Sequence, residues 1–180
     1  MNVKILLTLI RNVKIKSFHK GEILIPVGST KKDVFFIKKG LVRSYVVEED
    51  TDEITFQIYA ENQVFSNAHA ILFGESSKFH YQTLEHTKVY IIDYHDFLKL
   101  TSQNSELLEL NRSYFGKKII QQAFQRVESF VFLSPEERYK KFVKDNPKLI
   151  HRVPDKHIAN VLGITPVSLS RIRNRISKKK

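Results

Sequence analysis

DKHIANVLGITPVSLSRI, the stretch of residues 155–172, decides the fold of the C-terminal quarter of the chain. Its apolar spacing and its single glycine predict two short helices that meet at Gly163. A chain reversal at this point needs a positive φ, which glycine adopts without steric cost. Thr165 is suited to cap the second helix, and Pro166 is suited to its first position. This spacing is typical of a helix-turn-helix.

Small and branched apolar side chains specify how the two predicted helices pack. The inward-facing residues are Ile158, Ala159 and Leu162 on the first helix, and Leu169, Ile172 and Ile176 on the second. Ala159 would lie where the helices cross closely, so a small side chain is needed there. The alternative is a helical hairpin of no special purpose, because an alanine four residues before a glycine also occurs by chance.

The second helix has a face opposite its apolar stripe, and this face is predicted to be exposed. At 100° per residue, Val167, Arg171 and Asn174 lie opposite Leu169. Such side chains can reach base edges or phosphates in a major groove. The predicted DNA-binding residues are Thr165, Pro166, Val167, Ser168, Ser170, Arg171, Asn174 and Arg175. Arg171 is the strongest candidate for a base contact.

The distribution of charge favours the same interpretation. The chain has 30 Lys and Arg against 19 Asp and Glu, and residues 134–180 hold 13 of the former and 4 of the latter. A basic segment favours a polyanion because phosphate binding releases condensed counterions. A solubilising basic tail is the alternative, and the terminal residues Lys178, Lys179 and Lys180 fit either interpretation.

Composition excludes several classes of function. The chain has no cysteine, which excludes disulfides, thiol catalysis and cysteine-ligated iron–sulfur or zinc sites. No apolar run approaches the length of a membrane span, and residues 3–10 are predicted to form a core helix within a helical segment 1–16. No nucleophile elbow, P-loop or zinc-protease motif is present. We therefore predict no catalytic residue, no metal, no enzymatic activity and a cytoplasmic location.

Residues 18–93 alternate short β-rich runs with turn signals. The runs are 22–25, 34–37, 41–47, 53–59, 79–84 and 88–92. Strands of this length and spacing predict an all-β roll or barrel. Alternation within the run 53–59 predicts that Ile54, Phe56 and Ile58 share one face.

Residues 105–132 contain no proline and one glycine, and they predict a long helix. Its apolar residues form two sides, one with Leu108, Phe115 and Ile119, the other with Ile120, Phe124, Val127 and Val131. A helix that is apolar on two sides needs two partners. The β domain would be one and a second copy of the chain, in a two-fold dimer, the other. Burial in a monomer core is the alternative.

Three segments follow from these patterns, in an α+β fold. Residues 1–104 are predicted to form an all-β roll, and the family resemblance given below implies that it is a sensor domain with a double-stranded β-helix of the jelly-roll type. Residues 105–133 form a long dimerisation helix, and residues 134–180 an all-α DNA-binding domain. The last of these opens with a capping box, in which Ser134 caps a helix, Pro135 starts it and Glu137 completes the box.

The order of the segments resembles that of the Crp/Fnr family of bacterial regulators. The motifs KGE at 20–22, PVG at 26–28 and VFFIKKGLVR at 34–43 resemble the opening of that family's cyclic-nucleotide-binding roll. Residues 134–172 resemble its short-form branch. The resemblance implies a β roll joined through a dimerising helix to a helix-turn-helix. It covers almost the whole chain.

The departures from the family bear on mechanism. Cyclic-AMP-binding members carry a Gly-Glu pair and an arginine, which bind the ribose hydroxyl and the cyclic phosphate. The corresponding stretches here, 65–67 and 78–81, lack both the glutamate and the arginine, so we expect neither cAMP binding nor a cofactor. Ser66, Asn67, Lys78 and His80 are the candidates for a different effector pocket, and surface loop residues are the alternative.

The predicted reading helix also departs from the family pattern. Pro166 and Val167 occupy positions where familiar members carry charged base readers, while Arg171 matches the family's second arginine. We expect no β wing after the second helix, so Arg173, Arg175 and the terminal lysines are candidates for phosphate contacts. These features predict a homodimeric, sequence-specific DNA-binding regulator with its own operator. The alternative is a small-molecule- or cyclic-nucleotide-binding module with weak or non-specific DNA binding.

Overall fold

The computed structural model describes residues 13–48, 52–102, 108–109 and 117–178, with eight strands and one short helix before residue 94 and the remaining described helices after it. The strands are β1 Lys14–Phe18, β2 Ile23–Ile25, β3 Asp33–Lys39, β4 Val42–Val47, β5 Glu53–Tyr59, β6 Val64–Ser66, β7 His80–Thr83 and β8 Thr87–Asp93. The helices are α1 Ala68–Leu72, α2 Tyr94–Ser102, α3 Lys118–Phe132, α4 Pro135–Asp145, α5 Asp155–Leu162 and α6 Pro166–Ser177.

The strands form two four-stranded antiparallel sheets, in the orders β1-β8-β3-β6 and β2-β7-β4-β5. Apolar side chains from both sheets meet in one core, whose buried members are Ile25, Phe35, Ile37, Val42, Phe65, Tyr81, Val89 and Ile91. Phe35 stacks on Phe65 at 4.8 Å, and Phe65 stacks on Tyr81 at 5.5 Å. The result is an antiparallel β-sandwich followed by helices, consistent with the predicted α+β class.

The six predicted strands are confirmed as β2, β3, β4, β5, β7 and β8, with ends shifted by one or two residues. The helix predicted for residues 1–16 is wrong at its end, because β1 begins at Lys14. This strand pairs with β8 from Lys14 opposite Ile91 to Phe18 opposite Thr87. A distant strand therefore outweighs the local helical pattern. Residues 3–10 lie outside the described residues.

A β-bulge at Phe56 changes the faces of β5. Tyr45 pairs with Thr55 and Ser44 pairs with the residue after Phe56, so Phe56 is the extra residue of its strand. Thr55 is fully buried, whereas Phe56 is 39% exposed. The single face predicted for Phe56 and the two isoleucines of β5 is therefore wrong. Thr55 and Ile58 are the residues that β5 buries.

The C-terminal helices enclose a second core, and the roll contributes to it. The buried members are Leu41 and Ile58 from the roll, with Tyr139, Leu149, Val153, Ile158, Ala159, Leu162, Leu169 and Ile172 from the helical part. The predicted inward-facing residues of α5 and α6 are confirmed, with Ile176 partly buried against the cluster. The capping box of α4 is also confirmed, because Ser134 and Glu137 satisfy each other's backbone N–H groups.

Helix α3 is the described part of the predicted long helix, and it has two different faces. Ile120, Phe124, Val127 and Val131 are between 58% and 67% exposed. The opposite side approaches the roll through Arg126 and its neighbours. Phe115, from the other predicted apolar side, lies outside the described residues. None of the helices in the described ranges combines the length and the apolarity that a bilayer crossing needs.

Candidate functional site

The turn between α5 and α6 has the backbone geometry and the helix cap that its residue types predict. Gly163 ends α5 in the left-handed conformation, with φ of 65°. A Cβ at this position would come within 2.5 Å of the Phe130 ring on α3, so a larger residue would also have to displace that ring. Thr165 caps α6, because its Oγ1 accepts from the Ser168 N–H at 3.1 Å. Pro166 occupies the first turn of α6.

The exposed side of α6 is called the reading face, and it consists of Val167, Ser170, Arg171 and Asn174. All four are exposed, Val167 by 60%. Arg171 makes no hydrogen bond or ion pair with any other described residue, so its five N–H donors face solvent. The reading face therefore presents a guanidinium that has no hydrogen-bond or ion-pair partner among the described residues, together with two polar side chains and a methyl-bearing side chain.

The other predicted DNA-binding residues flank the reading face. Thr165 and Pro166 are exposed at the start of α6, and Ser168 is half-buried beneath the Thr165 cap. Arg175 is exposed, and its Nη1 lies 3.2 Å from Glu136 Oε2. A surface ion pair of this kind contributes little free energy, about 0–1 kcal/mol, so Arg175 can exchange it for a phosphate.

Arg173, a predicted candidate for a phosphate contact, makes contacts with α4 and α5 in the structure. Its Nη1 donates to both carboxylate oxygens of Asp155, at 2.8 and 2.6 Å. Its Nε donates to the Tyr139 hydroxyl at 3.2 Å. The guanidinium thus ties α6 to the start of α5 and to α4, and it points away from the reading face.

A second candidate site is a cavity of about 280 Å³ between the roll and α3, here called the roll cavity. Its aromatic lining is formed by Phe56, Tyr59, Phe65, Phe79 and Tyr81. Its polar lining is formed by Gln57, Gln63, Ser66, His69, Gln122 and Arg126. No carboxylate is among its lining residues, and no group of three or more metal-ligating side chains is found in the part of the chain that is described.

Arg126 is the guanidinium of the roll cavity, and α3 carries it toward the roll. Its Nη1 donates to the backbone carbonyl oxygen of Phe56 at 2.8 Å. Its guanidinium carbon lies 4.3 Å from the centre of the Phe56 ring and 5.4 Å from that of Phe130. Burial lowers the pKa of Arg126 from its usual value, but an arginine stays protonated in proteins.

The four residues predicted for an effector pocket do not lie together. Ser66 lines the roll cavity. Asn67 is fully buried and caps α1, so its amide is already used. Lys78 is exposed and pairs with Glu75 at 3.4 Å. His80 accepts from a backbone N–H of the β2–β3 loop at 3.2 Å. Asn67, Lys78 and His80 are not among the lining residues of the roll cavity.

A buried polar network joins the roll to α5, and the sequence interpretation missed it. Arg43 on β4 is 3% exposed and donates to Glu53 and to Gln82 Oε1, the latter at 2.6 Å from Nη2. Its Nη1 lies 3.3 Å from both Thr55 Oγ1 and His157 Nδ1. Arg43 and these four partners, which come from the roll and from α5, are here called the domain network.

His157 is the α5 member of the domain network and is 4% exposed. Its Nδ1 lies 2.8 Å from Thr55 Oγ1. Because an arginine can only donate, the contact with Arg43 requires an unprotonated Nδ1. Burial, and then the charge of Arg43, lowers the pKa of His157 to about 4. The imidazole is therefore neutral in the folded chain at neutral pH.

A second ion-pair group holds the loop before α5 to the roll. Arg152 Nη2 lies 2.6 Å from Glu61 Oε1 and 2.5 Å from Glu85 Oε1. The hydrogen bonds from Arg152 lower the pKa of Glu61 to about 2. Nearby, the Asn160 side chain accepts from the Thr55 backbone N–H at 3.2 Å and so covers the edge of strand β5. The roll and the reading helices are thus joined by polar contacts as well as by the shared core.

Acidification is expected to lower the melting temperature of the chain through His157. The unfolded chain has an ordinary His157 pKa of 6.5 and the folded chain one of about 4. The unfolded state therefore binds more protons between these values, so stability is full above about pH 6.5 and falls as the pH decreases toward 4. Thermal melts at about pH 7 and about pH 5 measure the difference.

His157→Gln should reduce this pH dependence, because the substituted residue does not titrate. His151→Gln, at an exposed position, is the control and should keep the wild-type dependence. An unchanged pH dependence in His157→Gln would mean that another group controls the transition.

A family model described as the cyclic nucleotide-binding domain matches residues 15–104. A variant of CooA from Carboxydothermus hydrogenoformans is similar in structure, with 20% identity and a TM-score of 0.75, over 95% of this chain and 79% of that chain. FixK2 from Bradyrhizobium japonicum is also similar in structure, with 16% identity and a TM-score of 0.78, over 93% of this chain and 85% of that chain.

A transcriptional regulator of the Crp/Fnr family from Eubacterium rectale gives a similar result, with 13% identity and a TM-score of 0.71, over 99% of this chain and 85% of that chain. At these identities the likeness shows the fold. No curated protein matches the chain.

Proposed function

The chain belongs to the cyclic nucleotide-binding domain family, and on that premise we propose that it is a transcription regulator of the Crp/Fnr type. In this proposal it is a homodimer that binds a specific double-stranded DNA sequence and does not respond to cAMP. Residues 1–104 act as the sensor domain, 105–133 as the dimerisation helix and 134–180 as a helix-turn-helix DNA-binding domain.

The reading face is the observation that carries the proposal. The arginine at its centre, Arg171, is exposed and makes no hydrogen bond or ion pair with another described residue. The α6 framework behind it is fixed by Leu169 and Ile172, which are buried, and by the Thr165 cap. A rigid helix with a free arginine is suited to bidentate contact with a guanine in the major groove. The local excess of positive charge supports phosphate binding around it.

The exposed face of α3 supports the homodimer. Ile120, Phe124, Val127 and Val131 follow each other at intervals of four, three and four residues, which is the spacing of a two-stranded coiled-coil seam. Four large apolar side chains in one exposed row form a patch that soluble proteins usually cover. A second copy of α3 supplies the same row, and a two-fold axis would bring the two rows together.

The loop after α1 supports the exclusion of cAMP. Gly74 adopts a φ of 71°, and Glu75 beside it is exposed and pairs with Lys78. Neither residue is among the lining residues of the roll cavity. This glycine and glutamate therefore form a surface turn, and they do not offer a carboxylate to a ribose hydroxyl in the cavity.

Arg171→Ala is expected to weaken sequence-specific DNA binding strongly, with little effect on stability. Loss of one bidentate base contact costs about 1–3 kcal/mol, and a two-fold dimer loses two of them. Affinity for the preferred site should therefore fall by roughly 30-fold or more. The preferred site is first selected from a random double-stranded library, and affinities for it and for a scrambled site are then measured by fluorescence anisotropy.

Lys141→Ala is the matched control, because it removes one positive charge from the same domain. Lys141 is exposed on α4 and pairs with Asp145, away from the reading face. It should keep the preference for the selected site. Equal effects of the two substitutions, or a library that yields no preferred site, would contradict the proposal of sequence-specific binding.

A further inference from the structure

An arginine without an acidic partner is the most unusual feature of the roll cavity. No described carboxylate forms an ion pair with Arg126, and the hydrogen bond of its Nη1 to the Phe56 carbonyl oxygen leaves most of its N–H donors for another acceptor. A partly buried cation is costly unless an anion compensates its charge. The roll cavity therefore has a place for one anionic group, at its α3 side.

The walls of the roll cavity are aromatic and arranged in two groups. Phe65 and Tyr81 stack at 5.5 Å with an angle of 13° on the roll side. Phe56 and Phe79 lie 4.9 Å apart near Arg126. A planar ring between such groups gains offset-stacked and edge-to-face contacts that an aliphatic chain of the same area does not gain.

The tyrosines of the cavity carry no negative charge that would repel an anion. Burial raises the pKa of Tyr59 to about 12 and raises that of Tyr81 as well. Both phenols are therefore neutral near neutral pH and can act as hydrogen-bond donors. Among the described lining residues there is no carboxylate, and Arg126 is the one that carries a permanent charge.

We propose that the roll cavity binds a small planar aromatic carboxylate. Its carboxylate pairs with the Arg126 guanidinium on α3, and its ring lies among Phe56, Phe79 and Tyr81. The volume of about 280 Å³ is near the lower end of the range for ligand pockets, which suits one or two rings. A cyclic nucleotide fits less well, because no described lining residue offers a carboxylate to accept its ribose hydroxyl.

Such a ligand would bridge the roll and α3, since the ring contacts come from the roll and the charge contact from the helix. Its occupancy would then favour one position of α3 over others. This deepens the proposed function by naming the class of effector, and the effect on DNA binding rests on that proposed function. Ligand binding itself does not depend on DNA and is measured first.

The experiment is calorimetric titration of the full chain with phenylacetate and 2-naphthoate. At least one of them is expected to bind with a dissociation constant below about 1 mM. Phenylacetamide keeps the aromatic ring but has no negative charge, and cyclohexylacetate keeps the carboxylate but has no aromatic ring. Both should bind at least about ten-fold more weakly than phenylacetate. The proposal is overturned if neither acid binds, if the amide binds as well as the acid, or if cAMP binds more tightly than both acids.

Arg126→Gln should weaken binding of the acids at least about ten-fold and leave binding of the amide unchanged. Lys38→Gln is the matched control, since Lys38 is also a cation beside a ring, 5.6 Å from Tyr90, but is not part of the cavity lining. Arg126→Lys keeps the charge and should restore part of the affinity. If Arg126→Gln does not fold, the comparison of acid with amide on the wild-type chain still decides the question.

A final measurement separates this site from the proposed function. The DNA affinity of the wild-type chain is measured with and without a saturating aromatic acid. A change in the DNA affinity supports both the ligand site and the proposed function. Binding of the acid that leaves the DNA affinity unchanged supports the ligand site and contradicts its regulatory role.

Discussion

A Phe124→Glu variant is expected to be monomeric and to bind the selected DNA at least about a hundred-fold more weakly than the wild-type chain. Phe124 lies in the middle of the exposed apolar row of α3 and is 64% exposed in the single chain. In a two-fold dimer, two glutamates would face each other in an apolar seam, where each charge would lose its hydration. The two reading faces would then bind separately and lose the gain that comes from linking them.

The measurements are light scattering for mass and anisotropy for DNA affinity. Gln125→Glu is the control, because it adds the same charge to the adjacent, exposed position outside the seam. It should remain dimeric with unchanged affinity. A monomeric wild-type chain at micromolar concentration, or a dimeric Phe124→Glu variant, would contradict dimerisation through α3.

The turn between α5 and α6 could be predicted from the sequence because its determinants are local. Gly163 takes a positive φ, Thr165 caps the following helix and Pro166 starts it, as its residue types require. Each of these preferences acts within a few residues of chain, so it does not depend on the remainder of the fold. The capping box at Ser134 was predictable for the same reason.

The strand register could not be predicted in the same way. The bulge at Phe56 depends on how β5 meets β4, and the sequence of β5 alone indicates regular alternation. Likewise, β1 forms because β8 offers it a free edge, although its own sequence is not strongly β-forming. Such pairings join residues far apart in sequence, and tertiary context then outweighs local preference.

The ligand-site residues were predicted least well. Ser66 lines the roll cavity, whereas Asn67, Lys78 and His80 do not. The expectation for all four residues came from the family's cassette and not from geometry. Nothing in the sequence marked Arg126 as a ligand-site residue, because a charged residue on a long helix is normally exposed to solvent. Its role depends on the packing of α3 against the roll, which no spacing in the sequence specifies.

Arg43 was missed for a related reason. It stands in the β4 run VRSYVV, where a charged side chain would ordinarily face solvent. Its partners come from β5, β7 and α5. The most distant of them, His157, lies 114 residues from Arg43 in the sequence. A charge within an apolar strand is a signal for such a network, but the partners cannot be named until the fold is known.

Arg43→Met is expected to lower the free energy of unfolding by about 3 kcal/mol, which is the largest single effect on stability predicted here. The substitution leaves Glu53 without its partner and deprives the half-buried Gln82 amide oxygen and the buried Thr55 hydroxyl of their donor. Glu53 is 36% exposed, so water compensates part of its loss, and the estimate lies at the low end of the range for broken buried pairs. For a chain of this size the melting temperature should fall by roughly 6–12 °C.

The effect should extend from the roll to α5, because His157 and Thr55 both contact the Arg43 guanidinium. Hydrogen exchange of the α5 amides should accelerate in Arg43→Met more than that of the distant β1–β8 pair. Lys38→Met removes an exposed cation from the same domain and should change stability by no more than about 0.5 kcal/mol. If Arg43→Met were as stable as this control, the domain network would hold the reading helices in position without stabilising them. Faster exchange in α5 alone, without a lower melting temperature, would mean that the network fixes the orientation of α5 and that the shared apolar core maintains the fold.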